Sequence, residues 1–130
     1  MYGFSVQFIG DFETAVQRTT QALQAEGFGV LCDIDVSATL RKKLGVETPP
    51  YRILGACNPH LAHQALSQEP DLGLLLPCNV TVRQEVDGAV TVSFIDPEQL
   101  LAVVQNPALA PVGADVRARF QRVMAALQAG

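Results

Sequence analysis

The stretch from Asn79 to Ile95, NVTVRQEVDGAVTVSFI, decides the fold. Val80, Val82 and Val86 alternate with Thr81, Arg83 and Glu85, and Val90, Val92 and Phe94 then share one face of a second run. A period of two sends successive side chains to opposite faces of a strand, so each run offers one apolar row to a core. Asp87-Gly88 lies between the runs and reads as a two-residue hairpin turn with both positions at positive φ. The centre of the chain is therefore an antiparallel pair.

Working toward the N-terminus, Tyr2, Phe4, Val6 and Phe8 alternate as a first strand. Asp11 is placed to cap a helix, and Phe12, Ala15, Val16, Thr19, Ala22 and Leu23 then recur at helical spacing until Gly27. Phe28, Val30, Cys32 and Ile34 fall on one side of a second strand, which predicts a core position for Cys32. Ser37 to Leu44 predicts a short helix closed by Gly45, and Tyr51 to Cys57 a third strand. Asn58-Pro59 starts another helix, with Asn as cap and Pro at the first helical position, carrying Leu61, Ala62, Ala65 and Leu66. Leu72 to Leu76 is an apolar run of strand length, ended by Pro77.

Working toward the C-terminus, Asp96 and Gln99 have the spacing of a capping box at the start of a short helix. A last helix is expected from about Pro111 to Leu127, with Val116, Phe120, Val123 and Leu127 on its buried stripe. The fold class that follows is α+β: an antiparallel β-sheet with helices packed on one face. Ile9, Leu31 and Leu54 are assigned to the other face, where a second subunit would cover them.

The chain has 130 residues, the usual size of one domain, and no repeat or linker divides it, so residues 1–130 read as a single unit. Hydrophobic residues make up 48% and charged residues 17%, which is a globular composition. Nine basic against thirteen acidic residues give a net charge of −4, which disfavours a nucleic-acid partner that must be met by clustered Lys and Arg. No apolar run approaches the roughly 20 residues that span a bilayer. The N-terminal residues lack the features of a secretory signal, and three cysteines suit a reducing compartment, so the expected location is the cytoplasm.

Four stretches carry a family resemblance: AEGFGVLCDIDV at 25–36, YRILGACNPHLAHQAL at 51–66, LGLLLPCNVTV at 72–82 and DGAVTVSFIDP at 87–97. In their order and spacing they resemble the family known as domain of unknown function 302. The resemblance implies a fold like that of the TATA-box-binding protein: a strand, a helix, four antiparallel strands and a closing helix, here with extra short helices. It also implies a homodimer. It implies no reaction, and likeness of fold does not carry DNA binding across.

Chemistry is concentrated in GACNP and LPCNV, the motifs around Cys57 and Cys78. Cys57 precedes a predicted helix start, where the backbone dipole and free N–H groups favour a thiolate. Both thiols are thus candidates for a nucleophile, and Cys57, Asn58, His60, Cys78 and Asn79 are candidates for ligand contact. His60 and His63, three apart on one helix, complete a Cys57, His60, His63, Cys78 set of the type that holds zinc. Cys78 has no nearby partner in sequence, however, and the resemblance rests on neither histidine. The bland reading is that the cysteines pack as small hydrophobes and the histidines are solvated.

Asp33 and Asp35 are a weaker acid–base pair, with capping as the alternative for Asp35. Arg41-Lys42-Lys43 and the set Arg117, Arg119 and Arg122 read as solvated helix faces or as anion sites. Glycine-rich phosphate loops, GxSxG, HExxH and CxxC do not occur. The expected function is a small non-catalytic ligand-binding or interaction domain acting as a homodimer. The alternative is a thiol-dependent or metal-dependent activity centred on Cys57 and Cys78. No cofactor is named by the sequence.

Overall fold

Asp or Asn side chains start four of the five α-helices. Asp11 accepts the Thr14 N–H at 2.7 Å and opens α1 (Phe12–Ala25), and Asp35 accepts the Ala38 N–H at 2.9 Å and opens α2 (Val36–Leu44). Asn58 opens α3 (Pro59–Gln68), and Asp96 accepts two N–H groups at the head of α4 (Pro97–Ala102). Each cap satisfies donors that a helix cannot pair internally. Only α5 (Ala110–Gln128) starts without a side-chain cap; it grows directly out of a 3₁₀ turn at Pro107–Leu109.

The computed structural model describes residues 1–129. Strands β1 (Gly3–Phe8), β2 (Gly29–Asp35), β3 (Tyr51–Cys57), β4 (Cys78–Gln84) and β5 (Val90–Ile95) form one sheet in the order β1-β5-β4-β3-β2. Every neighbouring pair is antiparallel. Val6, Val92, Val82 and Leu54 lie on the face that meets the helices, together with Val16 and Leu23 of α1 and Phe120 and Val123 of α5. The Phe120 ring packs between Phe28 and Phe94, at centroid distances of 5.0 and 5.3 Å. A smaller cluster of Ala65, Leu72, Leu101 and Leu109 extends this interior beyond the end of the sheet. The opposite sheet face is hydroxyl-rich, with Ser5 and Ser93 hydrogen-bonded at 2.8 Å and Arg83 reaching the same Ser93 hydroxyl.

Four sequence expectations change. The β4–β5 hairpin closes through three residues, Val86 to Gly88. The Gly88 N–H donates to the Glu85 carbonyl, the Glu85 N–H donates to the Ala89 carbonyl, and Gly88 alone has positive φ, at 93°. That is a turn followed by a left-handed glycine, a standard three-residue closure, and it leaves Val86 96% exposed.

Cys32 is exposed and not in the core. The β2–β3 register shifts between Val30 and Cys32, so one extra residue enters β2 and moves Cys32 and Ile34 to the face opposite Val30. Leu54 pairs with Val80 and is fully buried beneath the helices, so it does not belong to the open face. The run from Leu72 to Leu76 is no strand: a 3₁₀ turn over Pro70–Leu74 buries Leu72 and turns Leu74 outward.

Two of the charged sets are held by partners, whereas in the run Arg41-Lys42-Lys43 only Arg41 reaches a carboxylate among the described residues, that of Glu47. Asp35 caps α2, while Asp33 takes a two-pronged pair from Arg52. Arg117 joins Asp96 and Glu98 and lies over the Phe4 ring, 4.8 Å from its centroid. Arg119 bridges Asp115 and the Glu26 carbonyl, and Arg122 pairs with Glu26. These contacts tie α5 to the α1–β2 turn and to the head of α4. No helix of the described residues is long and apolar enough to cross a membrane.

Candidate functional site

Three neighbouring features end at one corner of the sheet. Cys57 is the last residue of β3, Asn58 is the cap that turns the chain into α3, and Cys78 is the first residue of β4, paired across the ladder with Ala56. All three line a cavity of about 280 Å³. Its sheet wall adds Phe28, Leu31 and Ala56, and α3 contributes Leu61, Ala62, Ala65 and Leu66. The segment 72–77 closes a second side with Leu72, Leu76 and Pro77, and α4 and the first two turns of α5 complete the lining with Pro97, Leu101, Val112 and Val116. Apart from the two thiols and the Asn58 side chain, the walls offer carbon.

Local sequence explains this shape. Asn58 and Pro59 launch α3 away from the sheet, and α3 turns Ala62 and Ala65 toward the hollow where larger residues would fill it. Gly55 in β3 lets the following loop come close: a Cβ there would meet Pro77 Cγ at 2.8 Å and Cys32 Sγ at 2.5 Å. Gly27, at φ +87°, packs against the Asn58 amide, and a Cβ on it would lie 3.0 Å from Asn58 Nδ2.

Asn58 is the buried polar group of the cavity, at 7% exposure. Its Oδ1 accepts the Leu61 N–H at 3.3 Å. That contact fixes which end of the amide is oxygen, because a backbone N–H cannot donate to an NH₂. The amide nitrogen makes no hydrogen bond within the described residues, but it is not sealed off as the Thr19 hydroxyl is.

Burial, and secondarily the neighbouring Cys57, push the Cys78 thiol up to about 11. Cys78 is therefore a neutral thiol at physiological pH, the less reactive form. Cys32, Cys57 and Cys78 are all free thiols. His60 and His63 are exposed on α3 and do not line the cavity, and Asn79 is exposed on β4 opposite Gly55. Among the described residues, no three His, Cys, Asp or Glu side chains gather where they could share a metal ion, so Cys57, His60, His63 and Cys78 do not form one ligand set.

The structure thus brings together Cys57, Asn58 and Cys78, and leaves His60, His63 and Asn79 apart. Sequence reasoning missed the apolar walls. The stripe of Leu61, Ala62 and Ala65 was visible, but as core, and nothing in its spacing says that its small residues face a hollow. A second hollow of about 350 Å³ lies between α4 and α5. Two of its polar residues are already engaged: Glu98 pairs with Arg117, and Asn106 caps the Pro107 turn and donates to Glu69.

The family described as domain of unknown function DUF302 matches residues 4–127. Among solved structures, the chain is similar to the crystal structure of an uncharacterized conserved DUF302 protein from Bacillus stearothermophilus, with 31% identity and a TM-score of 0.86. That likeness covers 98% of this chain and 97% of the other. No curated protein matches.

Proposed function

The chain belongs to the family of unknown function DUF302, and from that premise we propose that it is a non-catalytic module that holds a small apolar molecule at the β3–α3 corner. The observation that carries this reading is the cavity itself: about 280 Å³ lined by aliphatic and aromatic carbon, with Asn58 and two thiols as its few polar features. Binding sites for small molecules are mostly apolar hollows with a few placed polar groups, and an apolar cavity of about 150 Å³ already accepts benzene. The rival reading, a thiolate activity at Cys57 and Cys78, is weakened by the neutral state of the Cys78 thiol.

The test is thermal unfolding with and without indane, a rigid bicyclic hydrocarbon. Indane is expected to raise the melting temperature of the wild type, since a ligand that binds only the folded state stabilises it. Ala62→Leu, which fills the cavity from the half-buried face of α3, is expected to melt within a few degrees of wild type but to lose that response. An unresponsive wild type, or an equal response in Ala62→Leu, contradicts the reading.

The same proposal places the domain in a homodimer. Support comes from β2, an edge strand with exposed Leu31 and Ile34. An unpaired edge with apolar side chains invites a second chain. Sedimentation equilibrium is expected to give twice the chain mass for wild type and the single mass for Ile34→Asp; a monomeric wild type at micromolar concentration rejects the dimer.

A further inference from the structure

The cavity at the β3–α3 corner is open on one side, and the exposure of its walls shows which. Phe28, Ala56 and Leu72 form a floor that is 3% exposed or less, whereas Leu31 and Leu66 line the same hollow at 69% and 38% exposure. Residues that border both hollow and solvent stand at the mouth, so it opens between β2 and α3. Leu31 reaches this place through the bulge. The ladder passes from Val30 opposite Ala56 to Cys32 opposite Gly55, and Leu31 has no partner in it. Bulges often re-aim a side chain beside a site.

The mouth is thus as apolar as the floor. A compact hydrocarbon held wholly inside makes no use of two leucines left in water at the entrance. A chain longer than the hollow does use them, because each further methylene then passes from water onto leucine, at about a fourfold gain in affinity per fully buried methylene. Exposed apolar side chains grouped beside a hollow commonly mark a ligand-binding groove. No charged side chain lines the cavity, so a polar head has no counterpart inside to offset its loss of hydration.

We infer that the ligand is an unbranched alkyl chain bound tail first, its end on the floor and its length running out between Leu31 and Leu66 to a head group left in water. The inference rests on the binding reading given above. It makes Leu31 and Leu66 the residues that set the preference for chain length.

The test is calorimetry with indane, 1-hexanol, 1-decanol and decanoate on wild type, Leu31→Ser and Leu66→Ser. Both changes are made at the surface, and circular dichroism and melting confirm that each variant is folded. In wild type, 1-decanol is expected to bind about tenfold or more tighter than 1-hexanol, and decanoate within about tenfold of 1-decanol because its head lies outside. In each variant the advantage of 1-decanol over 1-hexanol is expected to fall about fourfold, the scale of one methylene returned to water, with indane unchanged. Leu66 lies off the β2 edge, so a fall seen in both variants is not an effect of dimer dissociation. With indane binding intact, three results overturn the inference and leave the cavity reading standing: no preference for 1-decanol in wild type, a preference unchanged in either variant, or a loss beyond about tenfold for decanoate. Failure of indane and both alcohols to bind wild type overturns the cavity reading and the inference with it.

Discussion

Thr19 sits fully buried on α1 with a hydroxyl that has no partner among the described residues. It occupies a place where the helical stripe calls for an apolar residue, and the hydroxyl loses its hydration without return. Thr19→Val removes that loss and keeps the branched shape. Urea unfolding is expected to show the variant more stable by about 1 kcal/mol; a less stable variant would mean that the hydroxyl is paired. Asn58 illustrates the opposite case, a buried polar residue whose oxygen is used. Asn58→Ala is expected to lose about 1 kcal/mol of stability and Asn58→Asp much less, because the cap survives in the second.

At the scale of elements, alternation, helical spacing and caps together made the strands and α-helices legible: Asp11, Asn58 and Asp96 are the caps expected, and Asp35 takes the capping role that was its alternative. Two details were not legible for a physical reason. A bulge is one residue more than the partner strand needs, and VLCD at 30–33 has no composition that announces it; only the pairing with β3 reveals that Cys32 changes face. Likewise Asp87-Gly88 suits a two-residue turn, but the register Gln84–Val90 leaves room for three residues between Glu85 and Ala89.

Glycine substitutions test both places. Gly88→Ala places a Cβ at φ 93° and is expected to cost about 1–2 kcal/mol. Gly55→Ala drives a Cβ into Cys32 Sγ and the Pro77 ring and is expected to cost about 1–3 kcal/mol. Cys32→Ala should relieve only part of that loss, since the ring of Pro77 cannot swing aside. Full relief would show that the 72–77 segment does not press on β3.

Over the whole molecule, the cavity was the least legible feature. Phe28, Leu61, Leu72, Leu101 and Val116 lie far apart in the chain, and periodicity tells which residues face inward but not whether they meet. The cysteine motifs lie at the same corner, but they were read for thiol chemistry and not for the apolar walls. The Cys78 thiol gives a pH signature of its burial. An unfolded thiol ionises near its ordinary value of 9.0, whereas Cys78 in the fold holds its proton to about 11. Between these values the unfolded chain binds fewer protons, so stability falls as pH rises. Relative to Cys78→Ala, wild type is expected to lose about 3 kcal/mol at most between pH 8 and 11 and nothing below pH 8. Parallel curves throughout would show that the thiol is solvated.

The central claim, that the β3–α3 corner encloses a binding cavity, is tested most directly by amide NMR shifts of the wild-type domain titrated with indane. Saturable shifts at Leu61, Ala65, Leu72 and Leu101, with β1 unmoved, are the predicted result. No saturable shift, or shifts confined to the open sheet face around Ser5, Thr81 and Ser93, would contradict it.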